Sequence, residues 1–315
     1  MHEALDLSPE MAALADSLGT HGTPRERARR LYLAILDDAL KVGYNEEMTA
    51  DWRPNGCKSA RAVFEEIGPA GERFAMCIES TMLFLALGRR MGLDTVGMRQ
   101  EKSLGETADF VVAHMVAGVY DEDGWHVVDL TNRRFWKDPA GHEPLIDDML
   151  LAYAHNNTGL IFRAQGRLYD AEKAVSAALA REHSHAAFWY NRGCVHLASG
   201  DARSARHDLT RAARLMPHSA HILTNLAVAH NALGRRASAR STLYAAREVA
   251  PGDARIRFNL GVLAYEDARY EEAEVHWRDA LALEPAYAQA RRSLGHLLRA
   301  LGRSDEGLRL LAGLA

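Results

Sequence analysis

Apolar residues recur along this chain on two short periods in the first half and on one long period in the second. Over residues 8–41 the spacing is helical. Ser8-Pro9-Glu10 and Thr23-Pro24-Arg25-Glu26 each set a capping hydroxyl before a proline at the first helical position. The second helix carries Ala28, Leu31, Leu33, Ile35, Leu36 and Leu40, enough to pack on a core. Residues 42–73 are weaker in pattern, with Trp52-Arg-Pro-Asn-Gly56 a loop. A stronger helical run follows, opened by Cys77, continued by Met82, Leu83, Leu85, Ala86 and Leu87, and closed by Gly92. The period then falls to two. Residues 109–120 and 125–131 are rich in strand formers and flank Asp121-Glu122-Asp123-Gly124, which predicts a β-hairpin.

The hairpin places chemistry. Pairing Tyr120 with Trp125 sets Val116 opposite Asp129 and His114 opposite Thr131. His114 and Asp129 then lie diagonally on one face, roughly 7–8 Å apart along the backbone, within reach of an imidazole–carboxylate hydrogen bond. Cys77 sits at the start of its helix, where free N–H groups and the helix dipole favour a thiolate. Taken singly, such a cysteine packs as a small hydrophobe and a strand histidine is a satisfied polar group. Together they supply a nucleophile, a base and a group that orients the base.

These residues resemble the transglutaminase-like cysteine enzymes. The shared features are Cys77 opening a helix, Gly92 after it, His114 on a following strand, and Asp129-Leu-Thr131 ending the next, with Trp125 before the aspartate. The resemblance covers residues 50–135. Val116 stands where the family often has an aromatic, and Ser80-Thr81 where it has a small residue. The resemblance implies Cys77 as nucleophile, His114 as general base and acid, and Asp129 as orienter. An acyl-transfer enzyme needs donors for the oxyanion; the Cys77 backbone N–H is one, and Trp52 and Asn55 are side-chain candidates for a second. The acceptor stays open. Water would make a peptidase or amidase, and an amine a transamidase or N-acyltransferase.

From Ala152 the pattern repeats every 34 residues, in segments starting at Ala152, Ala186, Ala220, Ala254 and Ala288. Position eight reads Gly159, Gly193, Ala227, Gly261 and Gly295, and position twenty Ala171, Ala205, Ala239, Ala273 and Gly307. Position fifteen is glycine except at Ala268, and Pro217, Pro251 and Pro285 share position thirty-two. Small residues let two helices approach closely, and proline ends the pair. This resembles the tetratricopeptide repeat, which implies stacked units with a concave groove. Asn157, Asn191, Asn225 and Asn259 share position six. An amide there can donate to one peptide carbonyl and accept from one N–H, so these four are expected to grip a partner's backbone in the groove.

Composition changes this picture little. The 315 residues suffice for two domains, and a net charge of −4 points to neither nucleic acid nor membrane. The first residues have no basic start and apolar core, and no long uncharged apolar stretch occurs, so a cytoplasmic protein is expected. Cys57, Cys77 and Cys194 are too widely spaced for a disulfide or metal set; Cys57 reads as inert. Ten of the fifteen histidines fall in the repeats, on turns and faces that make no metal site. No glycine-rich phosphate loop opens a helix, and no cofactor is expected.

The fold class is therefore α+β. A papain/transglutaminase-like cysteine enzyme domain over residues 1–150 (helical to about 45, catalytic core over about 46–135) precedes an all-α superhelix of five tetratricopeptide repeats over 152–315. The expected partners are a peptide-like or acyl substrate for Cys77 and a protein or peptide in the repeat groove. The alternative is a non-catalytic tetratricopeptide scaffold with an inactive first domain.

Overall fold

The structure, a computed structural model, describes residues 9–36, 81, 84–85, 87–100, 114–129, 134–137, 143–145 and 147–312. The chain divides into two compact units, Met1–His183 and Ser184–Ala315.

In the first unit, α1 (Pro9–Leu18) and α2 (Pro24–Leu36) both begin on the proline the sequence points to. Thr23 and Glu26 form a reciprocal cap: the Thr23 N–H donates to Glu26 Oε2 at 2.9 Å, and the Glu26 N–H donates to Thr23 Oγ1 at 3.2 Å. α2 buries Ala28 and Leu31 fully and packs against the second strand of a sheet. The helical residues 87–90 end where Gly92 takes φ 69°, with Leu93 N–H bonded to Gly88 O and Gly92 N–H to Arg89 O. That paired closure is what a glycine just past a helix permits.

The sheet holds β1 (Thr95–Gln100), β2 (His114–Asp121), β3 (Gly124–Asp129), β4 (Arg134–Lys137) and β5 (Glu143–Leu145). They are all antiparallel, in the order β4-β3-β2-β1-β5. Tyr120 pairs with Trp125 as expected, but the loop is only Glu122-Asp123, because Asp121 also pairs with Gly124. Gly124 closes the turn at φ 105°, and Asp121 Oδ1 accepts from the Asp123 N–H at 2.8 Å. Two of the strands carry no period of their own. Glu143–Leu145 is an edge strand, a position where Pro144 needs to donate no N–H. Arg134–Lys137 pairs with β3, and four residues carrying two charges give no alternation.

Ten helices follow among the described residues, in five pairs. They are α3 (Asp147–Ala164) with α4 (Leu168–Arg181), α5 (Ala186–Ala198) with α6 (Ala202–Leu215), α7 (Ala220–Ala232) with α8 (Arg236–Val249), α9 (Ala254–Glu266) with α10 (Tyr270–Leu283), and α11 (Ala288–Ala300) with α12 (Ser304–Ala312). The last four pairs begin on the alanines that open repeats two to five. α3 starts five residues before Ala152 because its first turns belong to the sheet: Leu150 covers Gly97 of β1, leaving only 3.2 Å for a β-carbon there. The first pair thus falls in the first unit and the other four pairs make up the second.

Within a pair, closeness is set at position eight. A β-carbon on Gly193 would lie 2.7 Å from Leu209, and one on Gly261 2.5 Å from the Trp277 ring. Within the second unit, buried residues of neighbouring pairs meet in shared clusters, as where Tyr190, Cys194, Leu209, Ile222 and Leu226 come together. α5 contacts α7, and α7 contacts α9, so the first helices of these repeats lie side by side. Repeat two departs from its neighbours at position seven. Leu226, Leu260 and Leu294 are buried there, but Arg192 takes the place in repeat two and forks onto Asp208 of α6 at 2.7 and 3.0 Å.

Position fifteen explains its glycines. Gly200, Gly234 and Gly302 have φ between 70° and 82°, and Ala268, at the same position, is the only described non-glycine residue with positive φ, at 57°. A β-carbon in that region costs about 1–2 kcal/mol. Ala268→Gly is expected to raise stability by roughly 0.5–1 kcal/mol after the added freedom of the unfolded chain is subtracted. Gly261→Ala is expected to lower it by about 1–3 kcal/mol, since the indole ring cannot yield cheaply. Gly252→Ala, in open space, should be close to neutral. Thermal melting of the three variants checks the order.

Candidate functional sites

β2 and β3 carry two of the three residues expected to do chemistry. Ala117 pairs with Val128, so continuing that register sets Asp129 beside Val116, with His114 two residues further along the same face of β2. His114 itself pairs with Gln100 of β1. Asp129 is buried, at 2% exposure. Between them the face is apolar: Met98, Val116 and Val127 are fully buried there, with Val96 and Trp125 packed alongside. Cys77, Trp52 and Asn55 lie outside the described residues.

The opposite face holds a group the sequence did not single out. His126 is 1% exposed, stacks on Phe135 at 6.1 Å with 8° between planes, and has Nε2 2.8 Å from Asp121 Oδ2. The contact is close but out of hydrogen-bond line. We read it as a polar contact that ties β3 back to the hairpin turn. The same turn borders a cavity of about 810 Å³ against α2, floored by Tyr32 and Phe135. Its rim mixes Arg25 and Arg29 with Asp121 and Glu122, and so selects no sign of charge.

The four asparagines of position six are not equivalent. Asn191 is fully buried and Asn157 nearly so. Asn225 is half-buried and donates its amide to Tyr190 Oη at 3.0 Å and to Cys194 Sγ at 3.2 Å, which ties repeat three to repeat two. Asn259 donates to Arg255 O of its own helix at 2.8 Å. On this side the first helices also present His221 and Arg255, in contact with each other across repeats three and four.

Several histidines are held neutral. His230 has its pKa pushed below the ordinary 6.5 by burial first, then by Arg206 and Arg235. Burial does the same to His276, outweighing nearby Glu272 and Asp279, and to His155, where Arg181 adds to it. Among the described residues no group of three or more side chains is arranged to hold a metal ion, and no helix is long and apolar enough to cross a membrane.

Comparison with known proteins agrees with the repeat geometry. Tetratricopeptide-repeat family models match residues 156–197 and 196–260, and the C-terminal region carries tetratricopeptide repeats. Solved structures that match part of this chain include TTC0263, a thermophilic tetratricopeptide-repeat protein of Thermus thermophilus. It is 24% identical with a TM-score of 0.48, over 52% of this chain and 89% of that one. YrrB, described as a tetratricopeptide-repeat protein with an unusual peptide-binding site, is 20% identical with a TM-score of 0.40, over 51% and 83%. The Cut9–Hcn1 hetero-tetramer of APC/C gives 22% and 0.48; the match spans 52% of this chain and only 32% of that one. Among curated proteins none matches the chain in sequence.

The three depressed histidines give stability a pH dependence. The unfolded imidazoles, with pKa near 6.5, take up protons that the folded ones resist. Stability is complete above that value and is lost as pH falls through it. The melting temperature is expected to drop between about pH 7.5 and 5.5, and the drop should shrink in His276→Gln. A flat profile over that window would contradict the burial assigned to these rings.

Proposed function

We propose that this chain is a docking protein whose repeats hold a peptide or protein partner. The observation that carries the reading is the lateral contact of α5, α7 and α9, which joins their outer faces into one surface. That surface presents polar side chains, including His221, Asn225, Arg255 and Asn259, at positions two and six of successive repeats. A ladder of this kind grips extended backbone wherever an amide or guanidinium keeps a spare valence. Asn225 and Asn259 use donors within the fold, so their side-chain oxygens are the groups offered to a partner N–H. A photo-crosslinking residue in place of Val228 on α7 or Tyr265 on α9 is expected to capture the same protein, whereas one in place of Glu122 on the hairpin turn captures none. Capture from Glu122 alone would overturn the reading.

A second reading rests on the hairpin. The register that sets Asp129 beside Val116 and on one face with His114, together with the burial of Asp129, supports a transglutaminase-like cysteine site. In this reading Cys77 Sγ attacks an amide or thioester carbonyl and forms the C–S bond, with the oxyanion received at its helix start. His114 protonates the leaving amine or thiol as the old bond breaks, then takes a proton from the incoming water or amine that releases the acyl group. Asp129 holds the imidazole in the tautomer this needs. The docked partner would be the substrate or its carrier. Iodoacetamide labelling of each cysteine against pH tests it. Cys77 is expected to label faster than Cys57 and Cys194, to stay reactive well below the ordinary thiol pKa of about 8.5, and to slow in His114→Ala. Equal rates at Cys77 and Cys57 would leave the docking reading alone.

A further inference from the structure

The chain's modest charge conceals a local excess. Repeats two and three, residues 186–253, hold nine arginines against four acidic residues, whereas residues 254–315 hold nine against nine. The excess is concentrated on α6. That helix turns Ala205, Asp208, Leu209 and Ala212 inward and leaves Arg203, His207, Arg211 and Arg214 exposed on its outer side. At helical rise the stripe is about 16 Å long.

None of these arginines is neutralised. Asp208 is committed to Arg192 and touched by His196 and His207, and Asp201 caps the start of α6 with its carboxylate. Among the described residues Arg203, Arg211 and Arg214 meet no carboxylate, in contrast with Arg278 and Arg303, which share Glu274 and Glu306 further along the array. Arg206 has a buried Nε with no hydrogen-bond acceptor, and its field reaches His230 in the next repeat. Arg211 is already set in place, with its guanidinium 5.6 Å over the Trp189 ring, which carries Arg192 at 5.0 Å as well. A pre-positioned guanidinium loses less freedom when it binds. Past Arg214 the stripe runs into Leu215 and Met216, both nearly half exposed.

We propose that the outer face of α6 is a docking surface for an acidic segment of a partner protein, a run of Asp and Glu followed by an apolar residue that lands on Leu215 and Met216. The proposal rests on the reading of the repeats as a docking array and names the chemistry of one part of the partner. Carboxylates match the forked donors of arginine. Nucleic acid fits less well. Trp189 already carries two guanidiniums that a stacking base would have to displace, and a longer polyanion would run on to the evenly charged repeats four and five.

The test is fluorescence anisotropy of the full chain with a labelled Glu-rich peptide ending in Leu, beside a single-stranded oligonucleotide and vesicles containing phosphatidylserine. The peptide is expected to bind best and to weaken several-fold as salt rises from about 50 to about 200 mM. It should lose about tenfold or more in affinity for Arg211→Glu/Arg214→Glu, two exposed side chains whose change leaves the melting temperature near that of the parent. An unchanged peptide affinity in that variant would overturn the proposal, as would tighter binding of the oligonucleotide or the vesicles. Loss of peptide binding in Asn225→Ala/Asn259→Ala, with the arginine variant unaffected, would overturn it too while leaving the docking reading intact.

Discussion

The repeats depend on two helices lying closer than ordinary side chains permit. At Gly193 and Gly261 the space for a single β-carbon is already occupied by Leu209 or the Trp277 ring, and the facing position twenty is alanine in both pairs. This closeness buries Leu and Ala side chains to completion with few residues per helix, and leaves the remaining positions without a packing duty. Stability in such a stack is close to a sum over neighbouring pairs, so a substitution on an outer face is felt locally. The freedom to carry arginines along α6, or polar groups along α7 and α9, follows from that division of labour.

Repeat two shows how far the rule bends. An arginine where leucine packs in repeats three to five would be a severe fault unless its charge were met, and Asp208 meets it from the facing helix at 2.7 Å. Removing one partner of so enclosed a pair costs about 3–5 kcal/mol, whereas replacing both with apolar groups can be neutral. The pair is therefore weak as a source of stability but strong as a constraint. It fixes Arg192 under Trp189, and Trp189 in turn holds Arg211 at the surface.

The last four repeats were legible in the sequence to the residue, because the 34-residue period registers the same steric need again and again. Ala186, Ala220, Ala254 and Ala288 each open a helix. The hairpin register was legible too, since Asp-Gly fixes the turn and strand parity does the rest. Short strands were not. β1 includes Gly97, β4 is four residues, and β5 contains Pro144, so none carries the alternation that marks a strand. Nor could spacing reveal that Asn225 spends its amide on Tyr190 and Cys194, or that Arg192 finds Asp208, since both are contacts between helices rather than along one. The arginine face of α6 was hidden for another reason: a net charge of −4 averages it against the acidic residues elsewhere. Of the residues proposed for a cysteine site, His114 opens β2 and Asp129 ends β3, whereas Cys77 lies outside the described residues.

The central claim is that the repeats, and not the sheet, meet the partner. Hydrogen–deuterium exchange of the full chain, alone and with the partner captured at Val228 or Tyr265, tests it most directly. The account predicts that amides of α6, α7 and α9 slow on binding while those of β2 and β3 keep their rates. Protection confined to the sheet, with α6, α7 and α9 unchanged, would contradict it.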